Sequence, residues 1–144
     1  MSSTLYNEII NVHNLRPYHK QKLENANYTL EGVNPSCGDE ITLELFIEDG
    51  IIKDASYEGS GCAISQASAD IMAEMVIGKT LEEATHLSDL FLKMIKEGVS
   101  KEELEELDEA GILQSVSHMP ARVKCAVLGW RTMKELIEPL KDNN

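Results

Sequence analysis

Three cysteines and one aspartate are the residues of this chain whose settings fit them for chemistry. Cys37 lies in the run Asn34-Pro35-Ser36-Cys37-Gly38-Asp39. Pro35 and Gly38 set the backbone there and leave the side chains on a shaped, exposed loop. Asp39 follows two residues later, so a folded loop could present sulfur and carboxylate to one ion. Cys62 lies in Gly59-Ser60-Gly61-Cys62-Ala63-Ile64-Ser65, with two glycines before it and a helical pattern after it. That order places it at or near a helix N-terminus, where unpaired backbone N–H groups stabilise a thiolate. Cys125 closes Pro120-Ala121-Arg122-Val123-Lys124-Cys125, early in the last helical pattern. Arg122 lies about one turn back and Lys124 is adjacent, which adds positive charge near the sulfur.

Three thiolates and one carboxylate make a closed tetrahedral donor set, suited to zinc or to iron–sulfur chemistry. Such a set carries four negative charges, of which a divalent ion removes two. Arg122 and Lys124 are placed to offset the remainder. The competing reading is inert: a free cysteine often behaves as a small buried hydrophobe, and two cations equally suit a solvated helix face. Two of the three cysteines fall in Gly-rich or Pro-rich polar loops, which weighs against all three being inert. No C-x-x-C pair is present, so spacing alone does not identify a metal. A closed set of four also leaves no open position for water, which argues against a metallohydrolase. Of the histidines, His13 and His86 fall within helical patterns and are expected to be structural or superficial. His118 is near Cys125 in sequence but is disfavoured as a ligand, because the cysteines and Asp39 already fill four positions.

The elements that must position these residues follow from composition and periodicity. A chain of 144 residues fits one domain, 1–144, with a single core. Aromatics are 5% of the residues, so that core must rest on Leu, Ile, Val, Ala and Met. The formal net charge of −12 repels nucleic acid and anionic membranes and favours a partner with a basic surface, though solubility alone would also explain it. No apolar run reaches the roughly 20 residues that span a bilayer. The start lacks the basic-then-apolar order of a secretory signal, so a cytoplasmic location is expected. In a reducing compartment an odd number of thiols points to metal or sulfur chemistry rather than to disulfides.

A first helix is predicted from Thr4 to Leu15, ending before Pro17. A polar connector with His19, Lys20 and Lys22 follows. Three strands are expected over Ala26–Val33, Ile41–Glu48 and Ile51–Glu58. The second alternates most clearly, and Asp49-Gly50 is a hairpin signal between the last two. After Cys62 the period becomes helical: Ile64, Ala67, Ile71, Met72 and Met75 share a stripe, and Gly78 sits where that helix would end. Thr80 with Glu83, and Ser100 with Glu103, have the spacing of capping boxes. The acidic stretch from Glu102 to Glu109 reads as a solvated helix face. Pro120 suits a first helical turn, and Val123, Val127, Trp130, Met133, Leu136 and Ile137 mark a final helix. Strands first and helices afterwards predict an α+β domain: a three-stranded antiparallel sheet with helices packed on one face.

Together the segments Asn-Pro-Ser-Cys-Gly-Asp, Gly-Ser-Gly-Cys-Ala-Ile-Ser-Gln-Ala-Ser and Pro-Ala-Arg-Val-Lys-Cys-Ala-Val-Leu resemble the U-type iron–sulfur scaffold family (IscU, NifU N-terminal domain, SufU), over nearly the whole chain. Within that family the sequence looks like the SufU branch. Lys124 stands where the IscU branch has a histidine, and extra length lies around Lys96 to Val116. The resemblance implies a fold shared with that family. It also implies zinc held by Cys37, Asp39, Cys62 and Cys125, with iron or an iron–sulfur cluster as the alternative occupant. It implies persulfide sulfur taken from a SufS-type cysteine desulfurase, with Cys37 as acceptor and Arg122 at the interface. Downstream iron–sulfur assembly proteins would receive the product.

Overall fold

The chain is described here by a computed structural model, which covers residues 3–141, with side chains from residue 6 onward. Its centre is β2 (Asp39–Glu48), flanked by β1 (Tyr28–Asn34) and β3 (Ile51–Ser60) in an antiparallel sheet of order β1-β2-β3. Ile41, Leu43 and Leu45 point into the core and are at most 2% exposed, whereas Thr42 and Glu44 point the other way. Leu43 faces Leu30 across one ladder and Tyr57 across the other, so one pleat face is apolar through all three strands. Asp49 and Gly50 both take positive φ (56° and 74°), as a two-residue hairpin turn requires.

Helices α1 (Ser3–Leu15), α2 (Ala63–Val76), α3 (Leu81–Lys96), α4 (Lys101–Leu107) and α5 (Pro120–Lys141) accompany the sheet. α2 and α5 pack against the strands, and α3 packs against α5. Inside, Trp130 of α5 stacks on Phe91 of α3 with ring centroids 4.6 Å apart. Both predicted capping boxes form: Thr80 and Ser100 each accept the N–H three residues on, while Glu83 and Glu103 reach back to the cap. α5 begins at Pro120, whose missing N–H is no loss in a first turn.

Several expectations shift. β2 begins two residues earlier than the apolar alternation, so Asp39 belongs to the strand and not to the loop. β1 starts at Tyr28 rather than Ala26, and β3 runs on to Ser60. The acidic helix ends at Leu107. Asp108, at φ 48°, turns the chain into a 3₁₀ segment, Asp108–His118, that buries Leu113 and Val116. Such a run is long for this geometry, and its pattern fits neither an α nor a β template. The polar connector also has a packing role. Leu23 is 8% exposed and its N–H donates to Glu44 Oε1 (3.1 Å), so the connector covers part of the second sheet face.

A fully buried carboxylate, Asp70 of α2, fixes α1 and this connector. It accepts the backbone N–H groups of Tyr18 (3.1 Å) and His19 (2.8 Å) and bonds His13 Nδ1 (2.6 Å). The other imidazole nitrogen, Nε2, bonds Glu109 of the 3₁₀ segment. His13 is therefore structural, as expected, but Glu109 is no free member of a solvated face. His86 pairs with Glu106 at the surface.

Phe91→Ala removes one face of the buried stack and should destabilise the chain by roughly 3–5 kcal/mol. Thr80→Ala, which removes one cap, should cost about 1 kcal/mol. Urea unfolding followed by far-UV circular dichroism measures both, and equal losses would contradict this packing.

Candidate metal centre

The centre forms where the sheet's end meets two helices. β1 ends at Asn34, and the turn that follows is closed by Cys37 N–H donating to Asn34 O (3.2 Å). Gly38 takes φ 73°, a conformation that costs glycine little and lets the chain re-enter the sheet at once. Asp39 then opens β2 directly opposite Asn34. Its carboxylate is 1% exposed, accepts the Cys62 N–H at Oδ1 (2.9 Å), and takes a longer bond from Asn34 Nδ2 at Oδ2 (3.4 Å). Cys62 is the N-cap residue of α2, as the glycine-then-helix order predicts, and its side chain makes no capping bond. Gly61 has to be glycine on grounds of space: a Cβ there would lie 2.4 Å from Asp39 Oδ1 and 2.7 Å from Ser65 Oγ.

Cys125 comes from the opposite side, on α5, and is 1% exposed. Its Sγ lies 3.6 Å from Cys37 Sγ, and the donor atoms of Cys37, Asp39 and Cys125 all fall within 4.8 Å of one another. Cys62 is not in that mutual set, although its sulfur is near enough to act on the Cys125 thiol. Of the four residues singled out in the sequence, the structure thus gathers three tightly and sets the fourth beside them. Cys37 is exposed, and its Sγ also lies 4.0 Å from Ala121 O.

Burial pushes the Cys125 thiol up, and its contacts with Asp39, Cys62 and Cys37 push it the same way. A second anion beside a buried carboxylate is unfavourable without a cation, so the metal-free site keeps this sulfur protonated. The donor chemistry fits zinc. Tetrahedral Zn–S bonds of about 2.3 Å separate two sulfurs by about 3.8 Å, close to what Cys37 and Cys125 already show.

The basic residues divide. Arg122 is exposed and, like Cys62, lies near enough to Tyr6 to act on its phenol. Burial raises the Tyr6 phenol, with Arg122 lowering it and Cys62 raising it, and the hydroxyl has no hydrogen-bond partner among the described residues. Tyr6 was missed in the sequence, where it reads as one more apolar position of the first helix. Lys124 lines a shallow groove of about 260 Å³ with Asn34 and Arg131 rather than bonding a donor atom. His118 is exposed and lines a different groove with Met94 and Ile95.

The chain is similar to known proteins over most of its length. The family model of the NifU-like N-terminal domain matches residues 5–126. The iron–sulfur cluster assembly scaffold protein IscU of Thermotoga maritima is 45% identical over 119 residues, 83% of this chain and 82% of the relative. The zinc-dependent sulfurtransferase SufU of Bacillus subtilis is 38% identical over 132 residues, 92% and 88% of the two chains. The solved structure of FiSufU from Fervidobacterium islandicum superposes with a TM-score of 0.86 at 36% identity, covering 96% of this chain and all of that one.

Two outcomes follow from the geometry. Because the Cys125 thiol is raised, it must lose a proton when metal binds, so affinity rises with pH. Each proton released should make binding about tenfold weaker per unit of acidification. Zinc titration calorimetry in buffers of different ionisation enthalpy should show release at pH 7; a heat independent of the buffer would contradict it. Gly61→Ala should displace Asp39 and weaken zinc binding by roughly 10–100-fold, while far-UV circular dichroism stays unchanged.

Proposed function

This chain belongs to the family of the NifU-like N-terminal domain, and we propose that it works in iron–sulfur cluster assembly as a zinc-dependent acceptor of persulfide sulfur from a SufS-type cysteine desulfurase. The observation that carries the reading is the unequal exposure of two sulfurs 3.6 Å apart: Cys37 is open to solvent on a loop, while Cys125 is sealed on a helix. A partner can reach the first without disturbing the second. The name of the Bacillus subtilis relative supports zinc, and the resemblance of the sequence to the SufU branch, in which Lys124 replaces the IscU branch's histidine, agrees with that relative.

Cys37, Asp39, Cys62 and Cys125 would hold the ion. Zinc, when bound, keeps the thiolates deprotonated yet weakly nucleophilic. The chain's own part is then an exchange at Cys37. With its thiolate free, Cys37 would attack the terminal sulfur of the desulfurase persulfide. A new S–S bond forms at Cys37 and the partner's S–S bond breaks. The partner's cysteine leaves as a thiolate, and no net electrons are exchanged. Arg122, exposed and near enough to act on Tyr6 as Cys62 does, would meet the partner and offset the charge of the donor set.

A second reading, a scaffold that itself assembles and hands on an iron–sulfur cluster, is favoured by the name of the Thermotoga maritima relative. Metal and acid-labile sulfide content separates the two, in protein isolated without added metal and with oxygen excluded. About one zinc per chain without sulfide is expected; iron and sulfide in similar amounts would favour the scaffold. Cys37→Ala should lose radiolabelled sulfur transfer from a SufS-type desulfurase supplied with cysteine. Transfer at the normal rate by that variant would overturn the role given to Cys37.

A further inference from the structure

Away from the cysteines, a groove of about 430 Å³ opens between α1, the connector and α2. Its walls include Ile9, Val12 and Tyr18, and its rim carries Glu8, Glu74 and Glu109. Val12 is 46% exposed and Tyr18 62%, and Leu15 beside them is 75% exposed. These are three of the four large apolar side chains that stand out into solvent among the described residues. Contiguous exposed apolar surface of this kind marks a binding surface more often than chance.

The chemistry around the groove selects its occupant. No lysine or arginine lines it. Among its carboxylates, Glu74 bonds His19 and Glu109 bonds His13, while Glu8 is exposed on α1. The Tyr18 ring is braced edge-on by His13, with centroids 5.6 Å apart, and so presents a preset aromatic surface. We propose that this groove docks a partner segment in which an arginine stands among aliphatic residues. Aliphatic side chains cover Ile9 and Val12, and the planar guanidinium lies over Tyr18 with Glu8 and Glu74 in reach. An acidic segment is repelled by the rim and by the chain's net charge of −12. Tyr6, whose phenol Cys62 influences, lies on the same helix about 9 Å of helix axis from Val12, so the groove is built on the helix that also approaches the sulfur site. The proposal does not depend on sulfur transfer and holds equally if the chain is a cluster scaffold.

The test is an NMR titration of the full, isotopically labelled chain with the peptide acetyl-Leu-Arg-Leu-Leu-Arg-Leu-amide. Amide shifts should concentrate between Ile9 and Tyr18 and around Glu74. The same peptide with glutamate for arginine should produce none. Tyr18→Ala should weaken binding about tenfold, and Tyr18→Phe, which keeps the ring face, should bind like the parent. Shifts spread over the acidic stretch Glu102 to Glu106 would overturn the proposal, as would equal affinity in Tyr18→Ala. If Tyr18→Ala does not fold, Glu8→Gln, an exposed change on the rim, makes the same comparison: weaker binding supports the site, and unchanged binding refutes it.

Discussion

The buried carboxylate of Asp39 is the constraint on which the centre depends. An ionised group out of water is costly unless hydrogen bonds replace its hydration. Asp39 obtains those bonds from the Cys62 N–H and the Asn34 amide. One carboxylate thereby ties the end of β1, the start of β2 and the first residue before α2 into a single corner. Cys37 lies within the turn that this corner closes, and Cys62 is carried by the bond itself. The corner's tightness also explains why residue 61 has no side chain. Once Asp39 is satisfied in this way, the sulfurs around it face a fixed negative charge, and a cation becomes the natural complement of the arrangement.

The fourth residue reaches the site by a different principle. Cys125 is placed by the depth at which α5 sits in the core, and that depth is set by Trp130 and Ser68. Ser68 Oγ accepts from Trp130 Nε1 (3.2 Å) and donates to Ala126 O (2.6 Å), the carbonyl next to Cys125. Ser88 of α3 donates to Trp130 O in turn (3.1 Å). Cys125 therefore inherits the rigidity of the hydrophobic core, whereas Cys37 has only a four-residue turn beneath it. The two sulfurs are neighbours with unequal freedom.

Much of this was legible where the physics is local. The alternation of Ile41, Leu43 and Leu45 fixes β2, Asp49-Gly50 fixes the hairpin, and the Thr80/Glu83 and Ser100/Glu103 spacings fix two helix starts, because each depends on a few adjacent residues. The placing of Cys62 at a helix N-terminus was legible for the same reason. What was not legible depends on partners far along the chain. Asp39 reads as a loop residue because its reason for being in the strand is a bond to residue 62. Glu109 reads as solvated because its partner, His13, lies 96 residues away. The 3₁₀ segment escapes because its buried Leu113 and Val116 follow no helical or strand period. The convergence of the cysteines lay beyond periodicity and spacing altogether; only the likeness of the three motifs to a known family brought them together.

Charge connects these scales. A chain at −12 attracts basic surfaces from a distance within the screening length of the solution. That long-range field alone would not orient a partner, since acidic residues are spread over the molecule. Orientation requires local departures from the average, and the structure has them. Arg122, which acts on the Tyr6 phenol together with Cys62, brings positive charge to the side of the donor set, while Lys124 and Arg131 line a groove of their own. The groove beside α1 does the reverse, gathering carboxylates around apolar side chains and keeping lysine and arginine out. The uneven distribution of charge, rather than its total, is therefore what distinguishes one face of the chain from another.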